Sequence, residues 1–180
     1  MNELKPINQT NLYGLSSFLE KFIELYKNQK FPNKILLSGQ KGIGKSTLAY
    51  HFINYVLSDK QEYKYDLENL KINFENQSYK TILNGSNPNF YLIDVNPEKK
   101  FIDINQIREL ISKLNKSSFN KYPRFVLIDN IEFLNKNSIN ALLKTLEEPS
   151  MDIYFILIHN NKKILPTLLS RCINYKIYLT

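Results

Sequence analysis

The chain has 180 residues, 43% of them hydrophobic and 23% charged, which suits a globular fold with a real core and excludes a disordered or collagen-like chain. Its 24 basic and 17 acidic residues leave a net charge of +7, a balance that favours acidic partners such as nucleic acid; a coding bias toward Lys, Asn and Ile would give the same charge. The single cysteine, Cys172, excludes an intramolecular disulfide and a cysteine-based zinc site, and with no signal-peptide core or membrane-length apolar run the expectation is a cytoplasmic protein without a membrane partner.

In chain order, "LSSFLEKFIELYKNQK" places Leu15, Phe18, Leu19, Phe22 and Tyr26 on one helical face, and Ser17 and Glu20 have the spacing of a capping box. "KILLS" at 34–38 is a short buried strand running into glycines, and "STLAYHFINYVLS" reads as a helix with Leu48, Phe52, Ile53 and Val56 inward. Residues 59–89 lack a clear period and read as an insertion. "FYLIDV" is a strand; "DINQIRELISKLNKS" is a helix with Asp103 as N-cap and Ile104, Ile107, Ile111 and Leu114 inward. The strand "RFVLID" precedes a helix "NSINALLKTLEEP" that stops at Pro149, with Ile139, Leu142, Leu143 and Leu146 in register. A strand "IYFILIH", a short helix in "ILPTLLSRC" and a last strand "INYKIYL" complete the chain. Strands alternate with helices, and most of them are continuous apolar runs, which predicts an α/β fold with a parallel sheet.

Between the first strand and the second helix, "GQKGIGKST" fits G-x-x-x-x-G-K-[ST] through Gly39, Gly44, Lys45 and Ser46. Glycines, here including Gly42, let the backbone wrap phosphates with several N–H groups, and the helix dipole adds positive potential. Lys45 would reach the β- and γ-phosphates of ATP, Ser46 would hold Mg2+, and Thr47 continues the helix beside the α-phosphate. Asp129, closing the apolar strand "FVLID", would hold the magnesium through water. Position 130 is Asn, which cannot act as a proton acceptor in the way a carboxylate does. Glu132 reads as a solvated loop acid, reaching the site only if its loop turns back, and His51 reads as structural.

"NALLKTLEEP" and "LPTLLSRC", with "GQKGIGKSTLA", "INQIRELISKL" and "LIDNIEFLN", resemble the clamp-loader branch of the AAA+ ATPases over nearly the whole chain. That branch includes the bacterial DNA polymerase III gamma/tau and delta-prime subunits. The resemblance implies a P-loop three-layer α/β sandwich with a mainly parallel five-stranded sheet, a RecA-like nucleotide-binding domain spanning 1–180. It implies gamma/tau and delta subunits, the sliding clamp and primed DNA as partners. It also implies that Arg171 of "SRC" serves as an arginine finger in a neighbouring subunit's site. Leu12, Tyr13 and Gly14 fall where the family packs adenine, so Tyr13 either stacks on the base or fills the core. Asn160 or His159 is expected to sense the γ-phosphate, or else to lie in an exposed turn. Lys136, Lys162 and Lys163 are candidates for DNA phosphates.

Three departures place the chain nearer delta-prime than the gamma/tau motor: Asn130, the absence of cysteine between 57 and 90 where a four-cysteine zinc module is usual, and the wording of "ILIHNNKKILPTLLSRC". No zinc is expected, and the family's helical lid and collar have no counterpart before Thr180. The alternative is a gamma/tau-like motor that hydrolyses ATP itself, with Glu132 as a substitute base. A P-loop nucleotide kinase fits less well, because Arg108, Arg124 and Arg171 are the only arginines and none forms a basic lid.

Overall fold

The computed structural model describes residues 5–147, 152–160 and 163–179. These fall into two compact units, one within 1–31, 41–87 and 177–180, the other within 32–40 and 88–176.

The second unit holds the sheet. β1 (Lys34–Gly39), β2 (Phe90–Ile93), β3 (Arg124–Ile128), β4 (Ile153–Asn160) and β5 (Ile173–Lys176) lie in the order β2-β3-β4-β1-β5, every pair parallel. β3 is buried along its whole length, as its unbroken apolar run requires. Val126, Ile128, Phe155 and Leu157 turn to one core cluster, which they share with Ile107 and Leu110 of α4 (Ile104–Leu114) and Leu142 and Leu146 of α5 (Lys136–Glu147). Each fully buried residue of this kind stabilises the unit by about 1.5–3 kcal/mol relative to exposure. A four-residue helix, α6 (Pro166–Leu169), leads to β5.

Asp103 caps α4 as expected: its carboxylate accepts from the Asn105 and Gln106 backbone N–H groups, and the Gln106 side chain accepts from the Asp103 N–H. Arg124, which the sequence shows only as the start of a strand, is buried and donates to the Leu114 and Lys116 carbonyls at 2.8 and 3.1 Å, closing the end of α4. Pro149 lies outside the described residues.

The first unit is built on α1 (Ser16–Lys27), α2 (Lys45–Ser58) and α3 (Gln77–Leu83). Phe22, Phe31 and Phe52 meet edge-on or tilted at centroid distances of 4.5–5.8 Å. The capping box expected at Ser17 and Glu20 does not form. The N-cap position is Leu15, without a side-chain cap, and Ser17 is already inside the helix. Gly14 at φ +67° turns the chain directly into α1, and Leu15 is buried in the core. Core burial thus overrides the capping signal.

Residues 59–89, which lack a clear period in the sequence and read as an insertion, hold regular structure of their own. They contain α3, capped by Asn76, whose side chain accepts from the Tyr79 N–H. A chain of amides and hydroxyls fixes the segment to α2: Asn54 donates to Asn76, Asn76 to Gln61, Gln61 to Ser78, and Ser78 to the Leu57 carbonyl. Among the described residues there is no group of three or more His, Cys, Asp or Glu placed to hold a metal ion.

Candidate functional site

In the first unit the phosphate-loop residues have the local geometry that the motif requires. Gly42 and Gly44 adopt φ +86° and +93°, which side-chain-bearing residues rarely reach. A Cβ at Gly44 would also come within 3.2 Å of the Leu15 side chain. Gly44 forms the N-cap of α2 without a side-chain cap, so backbone N–H groups head a fourteen-residue helix. Lys45 is 3% exposed, and Ser46 and Thr47 are half-buried. This donor set fits phosphate: backbone N–H groups, a sheltered lysine, and hydroxyls on the first helical turn.

Leu12 is buried, and its N–H donates to the Leu70 carbonyl at 3.1 Å. Tyr13 is 78% exposed, so of its two expected roles it does not fill the core. His51 is fully buried; its Nε2 lies 2.9 Å from the Gln9 carbonyl and its Nδ1 2.7 Å from the Tyr65 hydroxyl. A carbonyl only accepts, so Nε2 carries the proton and Nδ1 accepts from Tyr65. His51 thereby ties the segment that carries Tyr13 to α2.

Burial lowers the His51 pKa to about 4. The unfolded chain takes up this proton at about pH 6.5 and the folded chain only near the lower value. The resulting stability is therefore complete above the unfolded pKa and is lost as pH falls through the folded one, in total roughly 3 kcal/mol at most. Urea unfolding at pH 7 and pH 5 should show this loss in the wild type. In His51→Gln the part of the pH slope due to this residue should vanish, although the variant starts less stable.

In the second unit the parallel register gathers the carboxyl ends of the strands, the edge at which open α/β sheets bind ligands. Ile93 pairs with Ile128, Ile128 with Leu157, Ser38 with His159 and Gly39 with Asn160. Gly39 has φ +142°. Asp94, Asp129 and Asn160 therefore stand at neighbouring strand ends. The Asp129 N–H donates to the Ile93 carbonyl at 2.9 Å, and its carboxylate accepts from the Asn130 N–H at 2.8 Å. Asn130 turns into the left-handed region, φ +54°.

Asn130 is fixed at both ends of its amide. Its Nδ2 donates to Asp94 Oδ1 at 2.8 Å, and its Oδ1 accepts from Asn160 Nδ2 at 2.9 Å. Glu132 is not a solvated loop acid: the loop turns back, the residue is half-buried, and its carboxylate accepts from the Asn160 N–H at 3.4 Å. Asn160 is part of this network rather than an exposed turn, whereas His159 is buried and lines a cavity of about 210 Å³ with Ile131, Glu132, Leu134 and Ile139. The sequence reading missed Asp94. The signal was present, because "LID" occurs twice, at 92–94 and 127–129, closing the paired strands β2 and β3.

Arg171 follows α6. Its Nη2 donates to Glu147 Oε1 at 2.5 Å and its Nη1 to the Thr167 carbonyl at 3.0 Å, with 29% of its side chain exposed. In the chain by itself it therefore makes an ion pair with the end of α5. Cys172 beside it is buried, which raises its thiol pKa to about 11 and leaves it unreactive. Lys136 and Lys163 are exposed, and Lys162 lies outside the described residues. No helix among the described residues is long and apolar enough to cross a membrane.

Residues 14–179 match the family model described as "DNA polymerase III, delta subunit". The chain is 32% identical over 139 residues to DNA polymerase III subunit delta' of Pseudomonas aeruginosa, covering 77% of this chain and 40% of that protein. It is 33% identical over 178 residues to DNA polymerase III subunit gamma of Buchnera aphidicola subsp. Schizaphis graminum, covering 96% of this chain and 46% of that protein. The chain thus spans less than half the length of these two relatives. A crystal structure of a DNA polymerase III gamma subunit-related protein from Thermotoga maritima superposes with a TM-score of 0.58 at 20% identity, over 92% of this chain and 45% of that one. That likeness supports the fold alone, an α/β fold around a parallel five-stranded sheet. By its family match, carried through both units, the chain belongs to the DNA polymerase III delta-subunit family and is similar over most of its length to proteins named delta'.

Proposed function

We propose that this chain is the nucleotide-binding part of a delta-prime subunit of a DNA polymerase III clamp loader, which helps to place the sliding clamp on primed DNA. In this reading it binds ATP but does not hydrolyse it efficiently, and it lends Arg171 to the site of a neighbouring subunit. Residues 1–180 act as one AAA+ nucleotide-binding domain, in a soluble, cytoplasmic complex with gamma/tau and delta subunits.

The observation that carries the reading is the state of position 130. A complete phosphate loop stands in the same chain as a strand end whose next residue is an amide engaged at both its ends. Gly39, Gly42 and Gly44 shape the loop, Lys45 pairs with the outer phosphates, and Thr47 lies beside the inner one. Ser46, with Asp129 acting through water, would hold magnesium, which when bound supplies charge neutralisation across the β- and γ-phosphates. Tyr13, exposed on the segment tied down by His51, is available to stack on the base. Asn130 can neither accept a proton nor activate water as a carboxylate would.

The gamma/tau-like alternative draws on the gamma-named relative and on Glu132 as a substitute base. Glu132 is already engaged with the Asn160 N–H, which favours the first reading.

Titration of the isolated chain with Mg-ATP tests the binding half. Lys45→Ala should weaken binding at least about tenfold, the loss of one charge-assisted contact worth roughly 1.5–3 kcal/mol. Equal affinities would remove the phosphate loop from the account.

A further inference from the structure

The bonds around Asn130 have a direction, and that direction is set by one group. A carboxylate accepts hydrogen bonds and cannot donate them, whereas an amide offers both possibilities according to which way it is turned. Asp94 Oδ1 receives the Asn130 Nδ2 at 2.8 Å and the Val95 N–H at 2.6 Å, and the Asp94 carbonyl receives Gln106 Nε2 at 2.9 Å. Gln106 is itself fixed by the cap of α4. Asp94 is therefore held from its own backbone and from α4. Because it can only accept, Asn130 must turn its nitrogen toward it and its oxygen the other way. That oxygen, 2.9 Å from Asn160 Nδ2, in turn dictates which way the Asn160 amide faces. The left-handed φ of +54° at Asn130 points the short amide back across the strand ends, a conformation that Asn tolerates better than most residues.

We propose that Asp94 is a positioning residue for phosphate recognition, acting through Asn130 to fix the orientation of the Asn160 amide at the end of β4. The inference rests on the reading of Asn160 as the residue that senses the outer phosphate of ATP. Position 130 is then not simply a vacated catalytic place but the middle of a relay that needs an amide. A carboxylate there would face the carboxylate of Asp94, unless Asp94 changed at the same time. Asp94→Asn removes the directional constraint, since an amide at 94 can meet Asn130 in either orientation. The exchanged pair, Asp94→Asn with Asn130→Asp, restores it, because a carboxylate at 130 accepts from both neighbouring amides.

The side-chain amide signals of the nucleotide-free full chain, recorded by NMR, test the relay without ligand. In Asp94→Asn the Asn160 amide signals should shift or split, the change passing through Asn130, which bonds to both residues, and in the exchanged pair they should return toward the wild-type position. Asn160 signals unmoved by Asp94→Asn would overturn the relay. The functional half is read from the ratio of Mg-ATP to Mg-ADP affinity. Asp94→Asn should reduce that ratio about threefold to tenfold, the range of one ordinary hydrogen bond, with recovery in the exchanged pair. A ratio unchanged while the Asn160 signals move would overturn the role in recognition. A wild-type chain that does not distinguish ATP from ADP, but shows the expected signal changes, would refute the phosphate-sensing reading while upholding the relay.

Discussion

Arg171→Ala in a clamp loader reassembled around this chain should lower clamp-stimulated ATP turnover by at least about tenfold, toward the roughly 10³-fold or greater effect that arginine fingers have in other nucleotidases. The guanidinium would stabilise charge spreading over the γ-phosphoryl oxygens in the neighbouring site, a task suited to a planar, permanently charged fork. In the chain by itself that fork is engaged with Glu147 at 2.5 Å and with the Thr167 carbonyl at 3.0 Å. The pair is partly exposed, with 29% and 52% of the two side chains accessible. Ion pairs in such settings contribute about 0–1 kcal/mol, so a phosphate can replace Glu147 at little cost. Glu147→Gln separates the two roles. It removes the ion pair but leaves the arginine, and turnover should stay near wild type. If Arg171 acts only by anchoring α5, both variants should lower turnover alike.

The largest effect on stability is expected at Phe52. It is fully buried on α2, with Phe31 at 4.5 Å, Phe22 at 5.8 Å and Tyr26 at 6.0 Å between ring centroids. Phe52→Ala should cost about 3–5 kcal/mol, the transfer free energy of the ring plus the cavity left among rings that cannot collapse into it. A urea midpoint displaced by the corresponding amount, with an unchanged slope, would be the expected result. Phe52→Leu should cost clearly less, because it retains most of the apolar volume. α2 also carries Lys45 and Ser46, so this packing supports the helix whose first turn bears the phosphate-loop residues.

Much of the architecture could be read from the chain. The central strands β1, β3 and β4 are legible as apolar runs because they are buried along most of their length, whereas β5, Ile173–Lys176, is a mixed and largely exposed edge strand. The helices α4 and α5 followed from their apolar period, and Asp103 from its position before it. Local signals failed where burial or long-range polar contacts decided the outcome. Ser17 and Glu20 have capping spacing, but the burial of Leu15 and the turn at Gly14 start α1 earlier. α3 is only seven residues long, and its cap, Asn76, is held by Asn54 and Gln61 from outside the helix, which no local period reveals. In the candidate site, the phosphate loop and Asp129 were legible as motifs. The roles of Glu132 and Asp94 were not, because each depends on a loop or strand end brought alongside Asn160 or Asn130 by the sheet register, across 28 and 36 positions of sequence.

In the proposed division of labour, Arg171 acts on a neighbour's ATP, while the chain's own phosphate loop binds nucleotide without efficient turnover. Steady-state, clamp-stimulated ATP hydrolysis by reassembled loaders tests it most directly, with Lys45→Ala and Arg171→Ala compared in this chain alone. Turnover should be near normal with Lys45→Ala and fall at least about tenfold with Arg171→Ala. The reverse pattern, turnover lost with Lys45→Ala and kept with Arg171→Ala, would contradict it and make this chain a motor.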